Sequence, residues 1–218
     1  MKRLLEDSGG RRTVAILIDL ERRCDSGGHV KFWEHIAAAA ERVPSAWQLD
    51  LHFQGSRYQC LDNALGMRIF EHRPVLSTRW FAWLGDMPDH TDIAPLHPGL
   101  LRHLRRAHVI HCTDAYFAYA ATARRAVRDG RRALVSSVHT QTPEYCGVYV
   151  EAMARRWLGN HALGRALLRH WRPGVRMERR MSHKLERHLG ESDWVLSAEQ
   201  LASRSGPSQP RHSRLRRG

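Results

Sequence analysis

Three apolar runs in this 218-residue chain each end in a polar turn, and each is followed by a helical pattern. Residues 13–20 predict a buried strand, and a helix is expected over 29–43. The run at 107–114 leads into a predicted helix at 115–128. The run at 133–138 ends in a histidine-bearing turn that begins at His139. Strands that alternate with helices form βαβ units, so the sequence predicts a three-layer α/β domain with a mostly parallel sheet.

Weaker patterns complete the predicted order of elements. The remaining expectations are a strand at 47–54, a strand at 65–76 broken by Pro74, a long loop at 77–98, a short helix at 98–106, helical structure over 151–189 with a break at Pro173-Gly174, and a last strand at 193–197. The loop carries Trp80 and Trp83, which we expect to be exposed or half-buried. We assign 1–11 as an extension, 12–202 as the domain and 203–218 as a basic tail or the start of an interdomain linker.

The charge of the chain predicts an anionic partner. Lysine and arginine number 35 against 22 acidic residues, which gives a formal net charge of +13. Such an excess is typical of proteins that bind nucleic acid, a phospholipid surface or a phosphorylated substrate. The last sixteen residues, 203–218, hold five arginines and no acid, so part of the excess lies outside the folded part.

Cysteine usage and hydropathy argue against several other classes of protein. The four cysteines lie far apart and form no Cys-x-x-Cys pair, which argues against a zinc ribbon and a dense disulfide framework. No stretch reaches the roughly 18 apolar residues of a membrane span, and the first apolar run is too short for a signal peptide. We therefore expect a cytoplasmic protein with reduced thiols, no cofactor and no metal.

The candidate site residues follow the predicted strands. Ligands of parallel α/β sheets bind just past the carboxyl ends of the strands. His139 is the candidate catalytic residue at such a position, and Thr140, Thr142 and Glu144 are candidate substrate-binding residues beside it. The alternative for His139 is a structural hydrogen bond to a neighbouring carbonyl. The alternative for Glu144, which follows Pro143, is a favourable charge in the first turn of a helix.

Two further candidates lie after the earlier strands. Asp114 closes the second run and is expected to cap the helix that begins at Ala115, which leaves it free to face the ligand cleft. Gly27 and Gly28 precede the first helix, where a bare backbone and free N–H groups suit a phosphate or a sugar hydroxyl. An ordinary tight turn explains the glycines equally well. The sequence there has neither the dinucleotide Gly-x-Gly-x-x-Gly pattern nor a Walker loop.

A basic amphipathic stripe lies near the end of the domain. Met177, Met181, Leu185 and Leu189 recur every four residues among arginines and Lys184. Such a stripe usually belongs to a hydrophobic core, but it can also lie on an anionic bilayer. Trp157 and Trp171 each stand beside arginine, which favours an interface.

Together these motifs resemble the N-terminal half of the family 4 glycosyltransferases, which are retaining enzymes of the GT-B architecture. The resemblance rests on the first strand with Gly27-Gly28-His-Val, on Val-Ile-His-Cys-Thr-Asp114, and above all on Ser-Val-His139-Thr-Gln-Thr-Pro-Glu-Tyr145. It covers about residues 12–218 and implies a Rossmann-like domain. Gly27 and Gly28 match the family's glycine loop, and His139 matches its strand-end histidine.

The resemblance also implies that two domains bind different substrates. The N-terminal domain holds the acceptor, a glycan or a lipid-linked molecule, and the C-terminal domain binds the nucleotide-sugar donor. The donor domain's arginine–lysine pair and paired glutamates have no counterpart here. We therefore expect an acceptor-side domain that is inactive without a donor half, with possible peripheral contact with an anionic membrane at its inner face.

Two other functions fit parts of the sequence. A non-catalytic basic module for nucleic acid or anionic lipid is the first alternative, although the resemblance makes nucleic acid an unexpected partner. A phosphate-monoester hydrolase is the second. Asp19-Leu-Glu21 resembles the aspartate motif of haloacid-dehalogenase-type phosphatases, but the second aspartate is missing.

Overall fold

The computed structural model describes residues 11–40, 42, 46–63, 67–84, 91–138, 142–159 and 161–197. Within them the chain is an α/β domain, as predicted. The strands are β1 (Arg12–Glu21), β2 (Trp47–Gln54), β3 (Gln59–Asn63), β4 (Met67–His72), β5 (Val109–Cys112), β6 (Ala133–Val138) and β7 (Trp194–Ser197). The helices are α1 (Gly28–Ala40), α2 (Pro98–Leu104), α3 (Ala118–Ala126), α4 (Thr142–Leu158), α5 (Ala162–Trp171) and α6 (Pro173–Gly190).

The strands form one sheet in the order β3-β4-β2-β1-β5-β6-β7. All neighbouring pairs are parallel except β3 with β4. Without β3, the order is that of the doubly wound dinucleotide-binding fold. The chain passes from β1 to β2 on one side and later places β5 on the other side of β1. The carboxyl ends of β1 and β5 therefore flank the point at which the strand order reverses.

Helices cover both faces of the sheet because successive side chains of β1 point to opposite faces. Ile16 and Ile18 pack with Val30 and Trp33 of α1. Ala15 and Leu17 belong to a separate core that includes residues of α2 and α3. The near-continuous apolar run of β1 thus reflects burial on both faces, which is typical of parallel sheets.

Several sequence expectations need correction. The strand predicted at 65–76 spans only Met67–His72, and β3 before it was not predicted. β3 is an antiparallel edge strand whose Cys60 and Leu61 are exposed, so its sequence has no alternation of burial to detect. A 3-10 helix, Thr78–Leu84, lies in the predicted loop, and its Trp80 and Trp83 are exposed as expected.

The helical region after β6 is divided into three helices. The expected break at Pro173 is present, because α6 begins there after Arg172 takes a left-handed φ of 46°. A second break, between Leu158 and Ala162, was not predicted, and α4 begins at Thr142 rather than near residue 151. All four cysteines are free thiols, as expected. The predicted tail 203–218 lies outside the described residues.

Candidate functional site at the carboxyl edge of the sheet

The carboxyl edge of the sheet gathers the turns that follow β1 and β5. After β1, the Ser26 hydroxyl donates to the Glu21 carbonyl at 2.9 Å and accepts from the Arg23 N–H at 2.7 Å. These two bonds hold the turn from which α1 starts at Gly28. Side-chain hydrogen bonds therefore fix the turn that leads into α1.

Gly27 and Gly28 are both exposed, and a Cβ added at either would meet no atom within 4 Å. Neither has a positive φ, since Gly130 is the described glycine that does. Neither position therefore requires glycine for its backbone conformation, because any residue could adopt it. A side chain at either position would instead occupy the open space in front of α1.

The amino end of α1 is open. Among the described residues, no acceptor pairs with the N–H groups of Gly27, Gly28 or Val30, and the first turn of α1 contains no acidic residue. The first four N–H groups of a helix lack intrahelical partners and carry a partial positive charge. The amino end of α1 can therefore accept an anionic group.

The amino end of α3 is occupied by the chain's own oxygens. The Asp114 carboxylate accepts from the N–H groups of Tyr116 and Phe117 at 2.9 and 3.1 Å. The Asp92 carbonyl accepts from Ala118 N–H at 2.9 Å, and the Asp19 carboxylate accepts from Tyr119 N–H at 3.2 Å. Of these two helices, α1 is the one whose first turn faces open space in the described part of the chain.

Asp114 caps the turn before α3 rather than the helix itself. The predicted cap of a helix that begins at Ala115 is wrong, because α3 begins at Ala118 with Phe117 as its N-cap. Burial raises the pKa of the Asp114 carboxyl, and the N–H groups that it accepts from oppose this shift. The carboxylate is thus engaged within the chain, which reduces its capacity to bind a substrate.

Asp19 is a deeply buried carboxyl of the crevice. Its exposure is 3%, and it also accepts from the Gln54 side-chain amide. Burial raises its pKa well above the ordinary value, and the nearby charge of Asp114 raises it further. Asp19 ties β1 to β2 and α3, which is a structural role. An aspartate nucleophile of the phosphatase type would have to face a substrate instead.

A hydrogen bond joins α1 to the end of β5 across the reversal point. The Thr113 hydroxyl donates to the Leu17 carbonyl at 2.9 Å and lies 2.9 Å from His29 Nε2. The Thr113 hydroxyl donates its proton to the Leu17 carbonyl, so it can only accept in the second bond. His29 Nε2 is therefore the donor in that bond. The bond brings the glycine turn and the Asp114 turn into one crevice. Neither His29 nor Thr113 was a predicted site residue, although both adjoin predicted ones.

Thr142 lies close to the same crevice, and Glu144 lies apart from these contacts. Burial and the charge of Asp114 raise the pKa of Tyr116 to about 12, and the Thr142 side chain opposes that shift. Thr142 is therefore near Tyr116 and the Asp114 turn. Glu144 is exposed in the first turn of α4, where the helix dipole favours its charge, as expected. His139 and Thr140, which follow β6, lie outside the described residues.

A depression of about 190 Å³ adjoins the crevice at the ends of β1, β2 and β4. Its lining includes Glu21, Gln54, Arg73, Ser77, Arg79 and Trp80. Arg79 pairs with Glu21 at 2.6 Å, and the Trp80 ring is 54% exposed. None of the predicted site residues that the structure describes lines this depression. Glu21 directly follows the strand predicted at 13–20, and this position could have identified it. Arg73 lies inside the strand predicted at 65–76, so the sequence offered no such signal for it.

Comparisons and searches for other kinds of site gave no match. Neither a family model nor a curated protein matches the chain. In the described ranges, no histidine, cysteine and carboxylate side chains form a group that could hold a metal ion. No helix in the same ranges is both long enough and apolar enough to cross a bilayer.

Proposed function

We propose that this chain is the acceptor-side domain of a retaining glycosyltransferase with the GT-B architecture. The observation that carries the proposal is the open amino end of α1 at the reversal point of the sheet. In this arrangement the N–H groups of Gly27, Gly28 and Val30 approach the donor's phosphates. The sequence resemblance to family 4 glycosyltransferases supports the same assignment for the glycines.

The acceptor binds in the neighbouring depression. An exposed indole such as that of Trp80 can pack against the apolar face of a sugar ring. Glu21 can accept hydrogen bonds from sugar hydroxyls, and Arg79 can donate hydrogen bonds to them. The Arg73 guanidinium pairs with no carboxylate of the described chain. A glycan or the head of a lipid-linked acceptor matches this combination of groups.

Catalysis in this proposal relies on positioning and on stabilisation of the leaving diphosphate. The donor domain supplies the nucleotide-sugar, and α1 adds backbone donors to the diphosphate charge as it develops. His139, which directly follows β6 in the sequence, hydrogen-bonds the transferred sugar or the leaving oxygen. Thr140, Thr142 and Glu144 adjoin it on the acceptor side.

The test is a titration of the chain with nucleoside diphosphates and nucleotide-sugars, followed by amide chemical shifts in NMR. We expect weak binding, with shifts concentrated at residues 27–30. Gly28→Ala should remove those shifts without loss of stability, because its Cβ meets no atom of the described residues within 4 Å. Gly190→Ala is the matched control, since a Cβ there also meets nothing within 4 Å.

Two outcomes would contradict the proposal. The first is the absence of shifts at residues 27–30 at millimolar concentrations of every diphosphate. The second is identical binding by the Gly28→Ala and Gly190→Ala variants. A free phosphate that binds as well as the nucleotides would show that the helix end is a general anion site.

A further inference from the structure

We infer that α5 docks this domain onto an anionic phospholipid membrane. The inference concerns a surface remote from the crevice and stands whether or not the domain takes part in sugar transfer. It rests on the exposure of an apolar helix face, on the charge beside that face, and on the position of α5 in the fold.

The apolar face of α5 is uncovered. Leu163, Leu167 and Trp171 recur every four residues and so lie on one side of the helix. Their exposures are 84%, 50% and 47%, whereas Leu168 is the side chain of α5 that packs into the domain. Transfer of such exposed leucine and tryptophan side chains from water to an apolar medium lowers the free energy.

Two more exposed tryptophans lie on other elements of the fold. Trp157, near the end of α4, is 53% exposed, and its ring lies edge-on to that of Trp83 at 5.8 Å. Tryptophan is the residue that most favours the boundary between lipid headgroups and acyl chains. Exposed tryptophans, which are typical of interfacial proteins, therefore lie on α4 and on the 3-10 helix as well as on α5.

The charges beside this surface are positive. α5 contains no aspartate or glutamate, and Arg165 and Arg169 form a second stripe four residues apart. No carboxylate in the described part of the chain pairs with Arg156, Arg169 or Arg172. An anionic lipid surface attracts such unpaired arginines, and their apolar stems can extend along the boundary while the guanidinium groups reach phosphate. An acidic protein or nucleic acid would use the arginines but would leave the leucine face exposed.

The fold holds α5 away from the sheet. Lys184 Nζ of α6 donates to the Tyr116 carbonyl just past β5, so the part of α6 before Lys184 extends beyond the carboxyl edge. At 1.5 Å per residue, Pro173 lies roughly 16 Å farther out. α4 runs antiparallel to α6, since Gly174 N–H donates to Glu151 while Thr142 lies near Tyr116.

α5 connects the outer ends of this helical hairpin. It therefore lies at the tip of a projection on the same side of the sheet as the crevice. A membrane bound by α5 would face the carboxyl edge rather than the opposite edge. This placement gives a lipid-linked molecule a short path from the bilayer to the crevice.

The basic stripe of α6, by contrast, is not the membrane surface. Met181 is buried against Ala115 and Tyr116, and Met177 and Leu185 pack around them. The apolar face of α6 is thus part of the core, and only its arginines remain at the surface. The two helices resemble each other in sequence, but only α5 offers an apolar face to a bilayer.

The test is co-sedimentation of the chain with large vesicles of phosphatidylcholine alone or mixed with phosphatidylglycerol. We expect recovery with the anionic vesicles and a decrease as salt is raised. Leu163→Gln/Leu167→Gln should lower partitioning at least tenfold, and glutamine preserves helix propensity. Leu61→Gln/Val75→Gln, on a separate exposed surface, is the matched control and should bind like the original chain.

The charge contribution is tested with Arg165→Gln/Arg169→Gln. Each basic side chain near an anionic surface is worth about fivefold in partitioning, so we expect a loss of roughly 25-fold. Arg128→Gln/Arg131→Gln removes two exposed arginines before the amino end of β6 and should have little effect. Circular dichroism and urea unfolding verify that each variant is folded.

Three results would overturn the inference. They are no recovery with anionic vesicles, equal losses for the α5 variants and their controls, and duplex DNA binding that requires the same leucines. The diphosphate titration at residues 27–30 should be unaffected in the α5 variants. The titration therefore tests the proposed function independently of the membrane-docking inference.

Discussion

At the scale of single residues, four histidines form one cluster, and none of them was a predicted site residue. His52 and His72 are almost fully buried between β2 and β4, with His52 Nδ1 at 2.9 Å from His72 Nε2. His97 and His103 complete this cluster, with ring centroids 5.4 Å from that of His72. Burial, with the neighbouring histidines as a second cause, lowers the pKa of His52 well below its usual range and that of His72 to about 3.

The histidine cluster makes stability depend on pH. Because the folded state holds His52 and His72 neutral, the unfolded state binds more protons below pH about 6.5. The free energy of unfolding therefore loses about 1.4 kcal/mol per pH unit for each of them as pH falls toward 4. We expect His72→Gln to give a shallower decline than the original chain in urea unfolding at pH 6, 5 and 4.

Exposed His35 provides the control for this prediction. His35→Gln should leave the slope unchanged, since the side chain is in water in both states. Asp19, whose pKa is raised, contributes with the opposite sign, but equally in both proteins. A slope that His72→Gln does not alter would show that the cluster accepts protons without unfolding.

At the scale of elements, the structure distinguishes two helix ends that the sequence presents as equivalent. Both α1 and α3 follow a strand and a polar turn at the reversal point. The Asp19 carboxylate accepts from an N–H group of α3 and Asp114 holds the turn before that helix, whereas the amino end of α1 stays open behind Gly27 and Gly28. An end filled by carboxylates stabilises the fold, and an open end can bind a ligand.

Asp114 should therefore matter for stability. Asp114→Ala removes the acceptor for two N–H groups, and we expect the free energy of unfolding to fall by about 1–2 kcal/mol. Asp114→Asn should cost less than half of that, because its amide oxygen still accepts and no buried charge remains. Urea unfolding measures both.

Asp129→Ala is the comparison for Asp114. Asp129 also accepts from a backbone N–H, that of Arg131, but it does so in an exposed turn. We expect a smaller loss of stability than for Asp114→Ala, because water solvates the exposed turn in both states. If Asp114→Ala has no larger effect than Asp129→Ala, the cap is not important to the fold.

At the scale of the whole molecule, the proposal divides sugar transfer between this domain and a donor domain. The residues that hold the nucleotide and its diphosphate belong to that second domain in the family that the sequence resembles. We expect the 218 residues alone to turn over no nucleotide-sugar. Nucleoside diphosphate release, measured with a panel of nucleotide-sugars and glycan or lipid acceptors, checks this. Turnover at a typical enzymatic rate of about 1–1000 per second would contradict it.

His139 is tested in the two-domain enzyme. We expect His139→Ala to lower turnover by about 100- to 1000-fold, the usual loss when one preorganised polar contact to a transition state is removed. Expression and thermal stability should be unchanged. Full activity in the variant would assign His139 a structural role instead.

The sequence by itself predicted six of the seven strands and both ends of two of them, β2 and β6. β1 and β6 were predictable from apolar runs between turn residues, and β2 from the alternation of its side chains. The first turn of α4 was predictable from Pro143 and Glu144. These signals are local, since they depend on burial and backbone chemistry within a few residues.

Only the tertiary structure decided which groups are free to act. α5 and α6 are both basic and amphipathic, yet Met181 is buried against Tyr116 while Leu163 is left in water. The glycines of α1 face open space, and the carboxylates of Asp19 and Asp114 turn inward to α3. Whether an apolar face or a helix end is already satisfied depends on partners distant in sequence, so no local pattern can encode it.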